Sequence, residues 1–246
     1  MHQTNKQNAG TKKTRTSNWR SYLFEFLSIF VGITLAFALN NWNEERRDGI
    51  SEKKILQEIR NGLQLDLHDI SVNKSGHTLG IQSIKLFREL IENNPVDQSN
   101  IGRMYTVLTR DFNSIMNLTG YESLKSKGLE IIKDDDVRFQ VISLYDYYYQ
   151  IIYKIEEEAI EMQSFHNYFS PINELLHPYM QFDDLGQLQT IQQPIELHES
   201  DKKRIYSFLW RIENNRLFKL QRYGLIEEKI QALVKAIDRV LKHSKS

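Results

Sequence analysis

The feature that most constrains this chain is an apolar run at residues 23–39, which reads LFEFLSIFVGITLAFAL. Only Glu25, Ser28 and Thr34 interrupt it with polar groups. Its Leu, Ile, Phe and Val residues favour transfer into a bilayer by about 3–7 kcal/mol in total. Glu25 lies near one end, where a charge costs less than at the bilayer centre. The run therefore predicts one transmembrane helix, which we place at residues 19–42.

Two other interpretations of the apolar run remain open. The triplet Ala36-Phe37-Ala38 is similar to the cleavage site of a secretory signal peptide, although Glu25 and the polar residues that follow the run argue against cleavage. A buried core helix is the second alternative, and it is disfavoured because core helices of this length are seldom apolar on every side.

Charge next to the span predicts its orientation. Residues 1–18 form a polar, basic tail that we expect to be disordered. Basic residues are slightly more frequent before the span than after it, and the more basic side usually stays in the cytoplasm. We therefore expect the soluble domain, residues 43–246, to be extracytoplasmic.

Small and polar residues recur along one face of the predicted span. Ser28, Gly32 and Ala36 are spaced four residues apart, and Glu25 and Asn40 lie on the same stripe. Small residues at this spacing let two helix backbones approach closely in lipid. The stripe predicts a face for helix pairing, either in a homo-oligomer or with a partner membrane helix. The alternative is chance, because small residues are frequent in spanning helices and Glu25 can extend to the lipid headgroups.

The soluble part is predicted to be helical almost throughout. Apolar residues recur at helical spacing in residues 51–70, 77–92, 99–113 and 120–127, and Ser51 is positioned to cap the first of these helices. Gly128 suits a helix C-terminus. Residues 177–200 contain two prolines without sustained periodicity, and we expect a loop there with a short extended piece.

Two longer segments carry apolar residues at alternating steps of four and three. The first starts at Val137, after three aspartates that favour a helix N-terminus, and it is expected to end at Pro171. The second covers residues 205–240, and only Arg216 and Lys219 break its apolar pattern. Two helices with matched seams most simply pack antiparallel as the spine of a bundle; an intermolecular coiled coil is the competing arrangement. The fold class is therefore all-α, with one N-terminal transmembrane helix followed by a helical bundle.

Composition excludes several functions. The 32 basic and 32 acidic residues give zero net charge, so the sequence predicts no nucleic-acid partner. The absence of cysteine excludes disulfides, thiol nucleophiles and thiolate metal ligands. Glu174 and His177 match half of a di-iron motif, but the second half is missing, so no metal, cofactor or catalytic residue is predicted.

Two side-chain clusters have ordinary structural interpretations. Glu156, Glu157, Glu158 and Glu161 are expected to form a solvated helix face, although the register places Glu158 on the seam. Five tyrosines between residues 145 and 153 are expected to divide between the core and its rim, with a binding interface as the alternative.

Two stretches of the chain resemble an uncharacterised bacterial family of short single-span membrane proteins, classed as a domain of unknown function. They are VGITLAFALNNWNEER and TGYESLKSKGLEIIKDDDVRFQVISLYDYYY, and the run NNWNE at residues 40–44 is the most specific part. The likeness extends over nearly the whole chain from Tyr22. It implies a bacterial inner-membrane location and a helical domain, and it supplies no activity or ligand.

The function expected from these features is that of a membrane-anchored interaction or scaffolding module, which is not an enzyme. A ligand-sensing accessory subunit that passes a signal through the membrane helix is the alternative. An apolar cavity in the soluble domain would favour the second interpretation.

Overall fold

The chain divides into two units, residues 1–50 and residues 51–246. The computed structural model describes residues 19–243. The predicted disordered tail at residues 1–18 therefore lies outside the described residues. Helix α1, Trp19–Ile91, contributes its first part to one unit and its remainder to the other.

In the first unit, residues 19–50 are helical and nearly all are exposed. Its most apolar window of 18 residues contains no buried residue. By length and composition, α1 is able to cross a membrane. Exposed large apolar residues such as Phe24, Ile29 and Phe30 are distributed around the helix, so none of its sides is polar throughout.

The second unit begins with residues 51–91 of α1, which form one uninterrupted helical stretch. The prediction of two separate helices here was wrong, and Ser51 lies inside α1, where it caps no helix. Gly76 and Gly80 do not end the helix, because they make room for neighbouring side chains. A Cβ atom would lie 2.4 Å from Phe112 Cδ1 at Gly76 and 2.4 Å from Arg216 Cζ at Gly80.

Shorter elements follow α1. Their bounds are α2, Ile101–Thr109; α3, Thr119–Lys127; a 3₁₀ turn, Leu129–Ile131; α4, Asp135–Ser143; α5, Tyr149–Tyr153; and α6, Ser164–Leu176. Helix α2 is shorter than predicted, because residues 110–118 leave it as an irregular connection. As expected, Gly128 follows α3, with a φ of 98°, and the Asp134 carboxylate caps α4 by accepting the Val137 N–H at 3.0 Å.

The helix predicted to run from Val137 to Pro171 is interrupted. A first π-turn, Leu144–Tyr148, joins α4 to α5, and a second π-turn, Lys154–Glu158, follows α5. A 3₁₀ turn, Ile160–Met162, then separates the second π-turn from α6. Pro171 lies inside α6 and does not end it, so that prediction was also wrong. The break falls earlier because Asp111 accepts the N–H groups of Ser164 and Phe165, at 2.9 and 3.1 Å, and so starts a new helix.

The predicted loop at residues 177–200 contains the expected extended piece as a β-hairpin. A 3₁₀ turn, His177–Tyr179, leads into β1, Met180–Phe182, which pairs antiparallel with β2, Leu188–Ile191. Gln98 fixes the hairpin to the helices, because its side-chain oxygen accepts the Ile191 N–H at 2.8 Å and its amide donates to the Ile191 carbonyl at 3.1 Å.

The last helix, α7, spans Glu199–His243 and packs antiparallel to residues 51–91 of α1. Ion pairs in reverse order show this orientation: Arg60 with Asp238, Lys74 with Glu227 and Arg88 with Glu213, at 2.5, 2.7 and 2.6 Å. The segment from α4 to the second π-turn also runs antiparallel to α7. The expected antiparallel pairing is therefore present, although the second long helix is α1 and the segment after Val137 is broken.

Two apolar clusters form the core of the second unit. Cluster 1 joins residues 55–70 of α1 to the tyrosine-rich segment and to residues 223–237 of α7. Cluster 2 joins residues 84–91 of α1 to α2, α6, the hairpin and residues 205–212 of α7. Along both long helices, the buried side chains between the two clusters are polar: Asn73, His77 and Ser83 on α1, and Asn215, Arg216 and Lys219 on α7.

Candidate functional site

We define the polar layer as the side chains that lie between the apolar clusters. It comprises His77 from α1, Asp111 from the connection after α2, Glu156 from the second π-turn, and Arg216, Lys219 and Tyr223 from α7. Arg216 and Lys219 are each only 2% exposed and Glu156 is 3% exposed. Buried charges at this density require specific partners, because burial without them is costly.

Arg216 closes the C-terminal end of α2. Its Nη2 donates to the carbonyls of Val107, Leu108 and Arg110 at 2.8, 3.1 and 3.0 Å. These are the carbonyls that a helix end leaves without internal partners. Burial lowers the pKa of Arg216 to about 10, so the guanidinium remains charged at neutral pH.

His77 links Arg216 to the connection that follows α2. Its Nδ1 lies 3.2 Å from Arg216 Nη1, which only donates, and its Nε2 lies 3.1 Å from the Phe112 carbonyl, which only accepts. The neutral imidazole with its proton on Nε2 satisfies both contacts. Burial and the neighbouring cations Arg216 and Lys219 lower the pKa of His77 to about 3, which agrees with this neutral form.

Glu156 is the more deeply buried of the two acidic side chains in the layer. Its Oε2 accepts from the N–H and the hydroxyl of Ser114, at 2.9 and 2.8 Å, and the Tyr223 hydroxyl donates to Oε1. Burial raises the pKa of Glu156, and these hydrogen bonds together with the charge on Lys219 oppose the increase. Glu156 therefore joins α7 to the irregular connection.

Lys219 differs from its neighbours. Its ammonium makes no hydrogen bond or ion pair with any other part of residues 19–243. Burial lowers the pKa of Lys219, and attraction to Asp111 and Glu156 opposes the decrease. Lys219 thus acts on the layer through its charge and not through a direct contact.

A second pair of carboxylates extends the layer toward cluster 1. Asp66 accepts from the Tyr149 hydroxyl at 2.6 Å and from the Asn117 N–H at 2.7 Å, and Asp69 accepts the Ile115 N–H at 3.0 Å. Burial raises the pKa of Asp66 to about 6 against these hydrogen bonds. With Glu156, these groups hold residues 110–118 by their backbone N–H groups.

A pocket of about 280 Å³ lies beside these contacts. One wall is formed by residues 114–118 and the other by α5 and the second π-turn. Its lining is mostly apolar, and two glutamates lie in the π-turn wall; the lining residues are Ser114, Ile115, Met116, Leu118, Tyr149, Gln150, Ile152, Tyr153, Glu156 and Glu157. Single π-turns inside helices are frequent at functional sites.

The residues predicted to pair in the membrane all lie on α1 in the first unit. Ser28 donates to the Glu25 carbonyl at 3.1 Å, and Asn40 donates to the Glu44 carboxylate at 3.0 Å. A Cβ atom on Gly32 would meet nothing within 4 Å, and Ala36 is exposed. The stripe is uncovered, and its pairing stays a prediction.

Residue patterns do not reveal most of the polar layer. The prediction that the glutamate cluster forms a solvated helix face is wrong for Glu156, which is buried. The available signal was the interruption of the α7 seam by Arg216 and Lys219, two cations on a face that is otherwise apolar. The tyrosine cluster divides as predicted, since Tyr145 and Tyr149 are buried while Tyr147 and Tyr153 are exposed.

Most polar atoms of the layer contact backbone groups of the same chain, so the layer positions the irregular connection. Within residues 19–243, no group of three His, Asp or Glu side chains could hold a metal ion. Comparison of the chain with protein-family models, curated proteins and solved structures finds no match.

Proposed function

We propose that this protein is a membrane-anchored helical interaction module, in which α1 inserts into the membrane and pairs there with another helix. The supporting observation is that the two units differ in how far protein buries their apolar residues. The second unit buries two clusters of apolar residues, whereas no residue of the apolar run at residues 23–39 is buried in the described part of the chain. Lipid and a second helix are the surroundings that suit it.

The pairing stripe provides a direct test. Gly32→Ile should reduce self-association or partner capture in a membrane two-hybrid assay, because the added side chain keeps the backbones apart. Thr34→Ile is the matched control, since Thr34 lies on the opposite side of the helix and accepts the same side chain. Equal signals from wild type and both variants would contradict pairing through this stripe.

The proposed location is a bacterial inner membrane, with the second unit outside the cytoplasm. The cysteine-free sequence makes this testable, because a single introduced cysteine is the only thiol. Ser126→Cys should react with a membrane-impermeant maleimide in intact spheroplasts, whereas Thr4→Cys should react only after lysis. The reverse pattern would place the soluble domain in the cytoplasm.

A ligand-sensing accessory module is the second candidate function. The pocket beside residues 114–118 favours it, since small-molecule sites are concave and mostly apolar with a few placed polar groups. This candidate requires that the second unit binds a small molecule and does not require pairing in the membrane. The two proposals therefore fail independently.

A further inference from the structure

The pocket beside residues 114–118 has an apolar body. Ile115, Leu118 and Tyr153 are 83%, 44% and 53% exposed, although each lies against the cavity. An occupant would cover these side chains and remove apolar surface from water, which favours binding. The volume of about 280 Å³ corresponds to a small organic molecule and not to a peptide.

The charge of the pocket is one-sided. Glu156 and Glu157 lie in its π-turn wall, and no Lys, Arg or His is among the lining residues. The hydrogen-bond donors that reach these carboxylates are neutral: Ser114 and Tyr223 for Glu156, and the Asn113 amide for Glu157 at 3.0 Å. Neither carboxylate takes part in an ion pair in the described part of the chain.

The nearest buried cation does not remove this acidic character. Lys219 interacts electrostatically with Glu156 and Glu157 and also with Asp111, so its single charge is shared among three carboxylates. Asp66 and Asp69 add further negative charge on the α1 side. The negative charge of the pocket therefore disfavours an anionic ligand. A neutral ligand would leave the carboxylates of Glu156 and Glu157 without an opposite charge.

Two aromatic rings complete the environment. Tyr149 and Tyr153 both line the pocket. Aromatic faces attract an organic ammonium group through their ring electrons, and the attraction strengthens where water is displaced. Apolar walls, ring faces and an acidic end together match one ligand chemistry.

We propose that this pocket binds a small organic cation, with its ammonium group at the acidic end by Glu157 and its apolar body against Ile115 and Ile152. The inference deepens the second candidate function, on which it rests, and it is independent of helix pairing in the membrane. The glutamates supply charge complementarity, and the apolar walls select an alkyl or aryl body over a bare ammonium ion.

The test uses the full-length protein in nanodiscs of zwitterionic lipid, with empty nanodiscs as the reference. Met116 lines the pocket and is one of only five methionines, so its ¹³C-labelled methyl group reports binding by NMR once Met116→Leu has identified its signal. Butylammonium, butanol and butyrate are titrated as probes of equal alkyl length and different charge. The Met116 signal should shift with butylammonium at a concentration at least about tenfold lower than with butanol, and butyrate should bind weakest.

Glu157→Gln should reduce butylammonium affinity by about tenfold and leave butanol affinity unchanged. Glu157 is exposed, so this variant should fold like the wild type. Glu161→Gln is the matched control, because Glu161 is exposed nearby and does not line the pocket.

Equal binding of butylammonium and butanol would overturn the cation proposal and retain a ligand pocket. No shift with any probe would overturn both, and neither result bears on membrane pairing.

Discussion

The polar layer and the apolar clusters on either side of it use the same two helices for different purposes. In the clusters, α1 and α7 contact each other through fully buried side chains such as Ile59, Leu209 and Ile230. In the layer, the same helices present His77 and Arg216, whose partners are backbone groups of residues 107–112. The apolar contacts of the clusters hold the helices together but are not directional. The hydrogen bonds of the layer, by contrast, fix the irregular segment that follows α2 in one position.

This difference indicates how stability and specificity are divided in the second unit. Apolar burial is non-directional and scales with area. Buried hydrogen-bonding groups contribute little net stability but strongly penalise arrangements that leave them unpaired. Residues 110–118, which form one wall of the pocket, are therefore held by polar contacts between two apolar supports.

The largest expected effect on stability is the difference between replacing Arg216 and replacing Lys219 in the layer. Arg216→Met should lower the free energy of unfolding by about 3–5 kcal/mol, because the carbonyls of Val107, Leu108 and Arg110 lose their donor inside the protein. Lys219→Met should change it by less than about 1 kcal/mol, because no direct contact is lost and a buried charge is removed. Thermal and urea unfolding in detergent, followed by circular dichroism, measures both; equal losses would show that charge alone, and not contact, matters in the layer.

Truncating a side chain in the apolar clusters should lower the free energy of unfolding about as much as Arg216→Met does. The two kinds of variant should differ in their pattern of hydrogen exchange. Leu209→Ala and Ile230→Ala each create a cavity and should cost about 2–5 kcal/mol. Hydrogen exchange should increase throughout the second unit in these variants, whereas in Arg216→Met it should increase first at residues 107–118. Trp210→Ala is the control, since that side chain is 57% exposed and should cost little. Preferential exchange at residues 107–118 in Leu209→Ala would remove the distinction between layer and cluster.

His77 in the layer and Asp66 beside it have pKa values shifted in opposite directions. Their contributions to the free energy of unfolding therefore depend on pH in opposite ways. His77 has its pKa lowered to about 3, so its contribution to stability is complete above about pH 6.5 and is lost as the pH falls toward 3. Asp66 has its pKa raised to about 6, so its contribution is complete below about pH 4 and is lost as the pH rises through 6. Between pH 7 and pH 4, the His77 shift lowers the free energy of unfolding by about 3 kcal/mol, and the Asp66 shift raises it by about 2 kcal/mol.

Variants separate the two contributions. His77→Gln should become more stable, relative to wild type, as the pH is lowered from 7 to 4, because only the His77 loss is removed. Asp66→Asn should become less stable relative to wild type over the same interval. Urea unfolding at pH 4, 5, 6 and 7 gives the comparison, and parallel curves for all three proteins would contradict both pKa assignments.

The smallest expected effect concerns a glycine next to the layer. Gly224 is helical in α7, and a Cβ atom there would meet nothing within 4 Å. Gly224→Ala should raise the free energy of unfolding by about 0.5–1 kcal/mol, because it reduces the entropy of the unfolded chain. Gly120→Ala is the counterpart of opposite sign, since its Cβ atom would lie 2.6 Å from the Ile59 backbone nitrogen. Thermal unfolding measures both variants. An increase in stability for Gly120→Ala as well as Gly224→Ala would show that α1 and α3 move apart at little cost in free energy.

Residue patterns were sufficient to predict the all-α class, the apolar run, α7 and the antiparallel packing. They were insufficient where a distant contact overrides a local signal. The predicted gap between residues 70 and 77 is helical, and the space beside Gly76 and Gly80 is filled by Phe112 and Arg216. Asp111 starts α6 from outside the segment, so the helix break could not be located from the periodicity of residues 137–169.

The candidate site was missed for a related reason. The regular steps of four and three place Tyr148, Ile151 and Ile155 on the core face after Leu144. The first π-turn holds one additional residue, and the buried residues are instead Tyr149, Ile152 and Glu156. Each of these is one position later than predicted, so Glu156 moved from the expected solvent face into the layer.

That additional residue also makes the first π-turn the place where this helix tolerates a change of length. Deleting one exposed residue there, such as Tyr147, would restore ordinary α-helical winding and leave Tyr149, Ile152 and Glu156 on their present sides of the helix. The same deletion within α4 would rotate every later side chain by about 100°. Chains that lack one residue within positions 144–148 would therefore keep the same buried acid and the same pocket wall.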